Sequence, residues 1–95
     1  MTTIYTTNWT NKDKTENRVY LNEVNEKGER TGNDFGYIVV DMKMELDVEE
    51  YGAEQAGRIV SHKIKGVDAE LAIEKLIART IKKQIPLNAN ATLKI

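Results

Sequence analysis

From residue 37 to residue 48 the chain alternates without a break. Ile38, Val40, Met42, Met44, Leu46 and Val48 take one parity, and Asp41, Lys43, Glu45 and Asp47 take the other. Successive side chains of an extended strand point to opposite faces, so the pattern predicts a long strand with one buried and one wet face. Val39 is the apolar exception on the wet side. A second periodic stretch lies at 68–84, where Ala69, Ala72, Ile73, Leu76, Ile77, Thr80 and Ile81 form a stripe at helical spacing. Asp68 suits its N-cap, Glu70 its first turn, and Lys82 and Lys83 its last, as the helix dipole favours. Neither apolar surface can be buried alone. Met42, Met44 and Leu46 are therefore expected to share a core with Ile73, Leu76 and Ile77.

Residues 3–9 are rich in β-branched and aromatic types and predict a first strand. A second is predicted over 18–24, but Val19 and Leu21 fall on one parity and Tyr20 and Val24 on the other. Such mixed faces suit an edge strand or a twisted ribbon. Turn chemistry at 25–28 and a glycine-bearing break at 32–36 predict a long, irregular connection before the alternating strand. Beyond it, Asp47 and Glu50 resemble a capping box and Gly57 a helix stop, which leaves room for a second short helix near 48–56. Residues 58–65 favour a strand over a helix, because two nearby glycines weaken a helix and a lysine-bearing face would complement Asp41, Glu45 and Asp47. That strand would put Val60, His62 and Ile64 on one face. Residues 91–95 alternate and predict a terminal strand. The expected architecture is α+β: a mainly antiparallel sheet of about four to five strands packed against one C-terminal amphipathic helix.

Composition narrows the function classes. Ninety-five residues, 40% hydrophobic and 31% charged, suit one soluble globular domain. A formal net charge of −1 lacks the basic excess of a dedicated nucleic-acid binder. With no cysteine there is no disulfide, no thiolate nucleophile and no cysteine-ligated zinc. The first residues lack the basic region and apolar core of a signal peptide, and no stretch approaches membrane-spanning length, so a cytoplasmic protein is expected. Asn, Lys, Ile and Tyr, which have AT-rich codons, supply 31 of the 95 residues and suggest an AT-rich source genome.

No constellation assembles an active site. Asp41-Met42-Lys43 matches the acid-x-Lys element of metal-dependent nucleases, but Asp34, the nearest upstream acid, is too distant along the same strand to share an ion. An alternating solvated face explains these charges more simply. His62 is the single histidine, and Ser61 beside it would point to the opposite face. A partly buried ring is expected there. Asp47, Glu49, Glu50 and Glu54 lack EF-hand spacing and read as a protein-facing acidic patch. No glycine loop opens a helix to cradle phosphate.

By elimination, the chain is expected to be a non-catalytic binding or inhibitor protein, of the kind a phage or mobile element carries, working by protein–protein contact in the host cytoplasm. Tyr5, Trp9, Lys12, Lys14, Glu49, Glu50, Glu54 and Leu71 are the candidate partner-binding residues, with no cofactor, metal or catalytic group. Stacking aromatics beside Lys12 and Lys14 give the alternative of a single-stranded nucleic-acid-binding module, and a structural homo-oligomer is the third reading. Self-association as a homodimer is expected on two grounds. Leu71 and Ala78 sit on the polar side of the helix, and residues 3–9 carry no lysine or proline to blunt an exposed edge.

Overall fold

The computed structural model describes residues 2–45, 56–83 and 87–95, with the backbone alone at 42–45, 56–58, 81 and 83. Its elements run β1 (Thr3–Thr10), β2 (Glu16–Val24), β3 (Arg30–Glu45), β4 (Ala56–Ile64), α1 (Val67–Lys83) and β5 (Thr92–Lys94). The fold is α+β: a five-stranded antiparallel sheet, in the order β4-β3-β2-β1-β5, with one C-terminal helix among the described elements. The short helix expected near 48–56 falls outside the described residues, except that Ala56 already belongs to β4.

Cross-strand partners share a face, so the registers separate the two surfaces of the sheet. Asn17, Val19 and Leu21 of β2 stand opposite Val40, Ile38 and Gly36 of β3. This is the helix side. Ile4, Val19, Leu21, Ile38 and Val40 form one buried cluster with Ala69, Ala72 and Leu76 of α1 and with Leu87, Ala91 and Leu93 of the tail. Ile73 and Ile77 pack against its margin. The side chains of Met42 and Met44, and all of Leu46, lie outside the description. The core is thus built from the expected strand and helix, and Leu87 adds a contribution the periodicity did not signal.

Several local expectations change. β2 is a central strand, flanked by β1 and β3. Its two parities are its two faces: pairing with β1 runs unbroken from Asn17 to Glu23, the extra residues of the register shifts belong to β3, and Val24, although buried, keeps the parity of Tyr20. The long connection before β3 is instead a tight turn at 25–29. Asn25 organises it: its Oδ1 accepts from the N–H groups of Lys27 and Glu29 at 2.9 Å each. Gly32 and Gly36 then lie inside β3, where positive φ absorbs the irregular pairing. In β4 a bulge pairs Val39 with Ser61 and Val40 with Ile59. Ile59 therefore takes the inner position expected for Val60, which is 51% exposed. His62 is exposed too, because it lies on the outermost strand.

The edge of β1 is covered as well. β5 pairs with it from Thr3 to Tyr5, and the Thr6 N–H donates to the Ala91 carbonyl at 2.9 Å. The open N-terminal edge, one ground for expecting self-association, is thus covered over Thr3–Thr6. Asp68 does not cap α1; the first helical bond runs from the Glu70 N–H to the Gly66 carbonyl. Asp68 accepts instead from the Thr2 hydroxyl at 2.8 Å, which ties the N-terminus to the helix. No described helix is long and apolar enough to cross a membrane.

Gly36 is the tightest backbone approach among these glycines. Its φ is +98°, and a Cβ there would stand 1.9 Å from the Lys63 carbonyl oxygen. Gly28 also has positive φ, at +79°, but open space around it. Gly36→Ala should lose on the order of 3 kcal/mol or more in urea unfolding, against about 1 kcal/mol for Gly28→Ala. Equal losses would show that β3 and β4 do not meet so closely.

Candidate functional site

The face of the sheet opposite α1 carries the chemistry. Pairing registers arrange it in rows across the strands. Trp9, Arg18, Val39 and Ser61 make one row, and Thr7, Tyr20, Tyr37 and Lys63 make the next. Glu16 and Asp41 stand opposite each other beyond the first row. Tyr5 lies at the other end, between Asn22 and Thr92.

Arg18 occupies the centre. Its guanidinium carbon lies 5.1 Å from the Trp9 ring centroid and 5.1 Å from that of Tyr37. Both rings attract the cation through their negative faces. Tyr37 in turn packs on Tyr20, with centroids 5.3 Å apart and planes tilted by 47°. A side-chain hydrogen bond with Tyr20 raises the Arg18 pKa, against the lowering effect of burial, with further contributions from Tyr37 and Glu16. Among the described residues the buried Arg18 Nε has no hydrogen-bond partner, and the two rings flank the group instead. Together the four residues form a braced rack of aromatic and guanidinium planes. Val39 is buried in the same row although no described helix covers this face.

The hairpin between β1 and β2 fixes the rack's register. Asn11 Oδ1 accepts from the N–H groups of Thr15 and Glu16 at 3.0 and 3.2 Å. Lys14 takes a left-handed conformation with φ of 56°. Lys12 and Lys14 are both exposed at the tip of this hairpin, next to Trp9 in sequence. At the far end an open groove of about 610 Å³ lies between Tyr5, Thr92 and Lys94 on one side and Asn25, Glu26 and Gly28 on the other.

The expected partner residues are thus divided. Tyr5 and Trp9 share the open face, and Lys12 and Lys14 sit beyond its end. Leu71, 38% exposed, is on the helix and so on the opposite side of the sheet. Glu49, Glu50 and Glu54 lie outside the described residues. The rack itself, Arg18 with Tyr20 and Tyr37, was not singled out as a site. Its signal was the hairpin turn at 11–15, which sets Trp9 opposite Arg18 once Asn11 is recognised as the organising residue.

The register also gives Asp41 a different neighbouring acid from the one the spacing suggested: Glu16, not Asp34. Among the described residues, no three His, Cys, Asp or Glu side chains gather as a metal site would need. Comparison with protein-family models, curated proteins and solved structures finds no match to this chain.

Arg18→Ala should release the Trp9 and Tyr37 rings. The aromatic near-ultraviolet circular dichroism is expected to fall sharply while the far-ultraviolet spectrum stays unchanged. An unchanged near-ultraviolet signal would show that Arg18 does not brace these rings.

Proposed function

We propose that this chain is a non-catalytic binding protein that acts by contact with another protein through the open face of its sheet. A small inhibitor or accessory protein works in this way. The observation that carries the reading is the braced rack of Trp9, Arg18, Tyr37 and Tyr20 at the centre of that face. Trp, Tyr and Arg dominate the energetic centres of protein interfaces. Small polar residues (Thr7, Asn22 and Ser61) and the charged Glu16, Asp41 and Lys63 lie around them, as the rim of such an interface requires. The rack stands on the buried face of the same strands, so little conformational freedom is lost on binding. Five strands at ~4.8 Å spacing provide a surface of the breadth that a standard interface uses.

One observation favours a second reading, single-stranded nucleic acid. Tyr5 and Trp9 are four residues apart on one strand face, roughly 13 Å, and Lys12, Lys14, Arg18 and Lys94 lie nearby. Bases stack on rings spaced along a strand in this manner. Asp13, Glu16, Glu26 and Asp41 around the same surface weigh against it.

Affinity capture from the native host, with and without nuclease, separates the readings. A protein partner that survives nuclease, is lost with Trp9→Ala and is kept with Leu71→Glu is the expected result. Loss on nuclease treatment would move the function to nucleic acid, and loss with Leu71→Glu alone would move it to the helix. Mg²⁺-dependent cleavage of DNA or RNA by the purified protein, abolished by Asp41→Asn, would overturn the non-catalytic reading.

A further inference from the structure

We propose that the outer edge of β4, at the margin of the open face, takes an extended acidic segment of a partner protein by strand addition. β4 ends the sheet, and no described strand pairs with its far side. It is nine residues long, whereas β5, at the other end, has three. The Lys65 N–H bonds inward to the Phe35 carbonyl of the β3 side at 2.9 Å. Backbone groups alternate in direction along a strand, so those of His62 and Ile64 face outward. A partner backbone has hydrogen-bonding positions there.

Charge selects the partner. Between residues 56 and 66 every charged side chain is basic: Arg58, Lys63 and Lys65, with His62 among them and no Asp or Glu. His62, Lys63 and Lys65 are exposed, and Val60 adds an exposed apolar contact beside them. A second copy of this edge would bring only like charges together. The same basic row that repels a second copy attracts an acidic strand. Specificity of this kind combines an attraction with a repulsion. Strand addition then supplies affinity through the main chain, while the lysines choose the side chains.

The test uses the whole protein at low salt and a fluorescein-labelled peptide of about twelve residues alternating Glu and Val. Comparison probes are the same peptide with Lys for Glu, the same peptide N-methylated at alternate residues, and an oligothymidylate of matching length. Fluorescence anisotropy should show the Glu–Val peptide binding at least roughly tenfold more tightly than each of the three. Its binding should slow amide exchange at His62 and Ile64, and Lys63→Glu with Lys65→Glu should weaken it by a similar factor. Equal binding of the N-methylated peptide would reduce the site to plain charge attraction and overturn strand addition. Tighter binding of the oligothymidylate would assign the edge to nucleic acid, and absence of peptide binding to the folded protein would remove the site. The Trp9-dependent capture described above reads the open face separately, so either proposal can fail while the other stands.

Discussion

β3 is hydrogen-bonded along both edges, to β2 on one side and β4 on the other, and this double register decides which side chains meet the helix. Ile38 and Val40 turn inward, while Tyr37 and Val39 turn to the open face. A slip of one residue would exchange the two sets and leave α1 facing Tyr37 and Asp41. Gly36 holds the register in place, because its missing side chain lets the Lys63 carbonyl approach. Both the buried cluster and the aromatic rack therefore depend on one strand. They are its two faces.

The chain ends reinforce this arrangement. β5 closes the edge of β1, and a chain of side-chain hydrogen bonds fastens the tail beside it. Thr10 donates to Asn17 at 2.7 Å, Asn17 to Asn8 at 2.8 Å, and Asn8 to Asn90. Asn17 is fully buried, and these contacts satisfy polar atoms that burial would otherwise penalise. The Ala91 N–H donates to the Thr6 hydroxyl at 2.7 Å in the same region. One end of the sheet is thus sealed by the chain itself, and the other is left with a bulged, basic strand.

Much of the fold was legible because its signals are local. The parity that starts at residue 37 and the stripe from Ala69 to Thr80 each report on neighbours within one element, and over residues 37–41 and in α1 both appear in the structure as faces. The tail and β4 strands were likewise read from short alternating runs. What failed was non-local. The mixed parity of β2 could not be interpreted without knowing that both of its edges are paired, and the order of strands could not be read from any of them singly. The candidate site suffered most. Trp9 and Tyr5 stood out as aromatic residues, but Arg18 gains its meaning only from rings on two neighbouring strands. Glu16 opposite Asp41 is the same case, a pairing that depends on register rather than spacing. His62 looked half-buried by parity, yet strand order placed it on the rim.

The central claim is that the sheet has one sealed face and one open aromatic face. Solvent accessibility measured by NMR with a soluble gadolinium chelate tests this most directly. The ring signals of Trp9 and Tyr5 should broaden strongly, while the methyl signals of Ile38, Val40, Leu76 and Leu93 persist. Rings as well protected as those methyls, or broadening at Ile38 and Val40, would contradict the account.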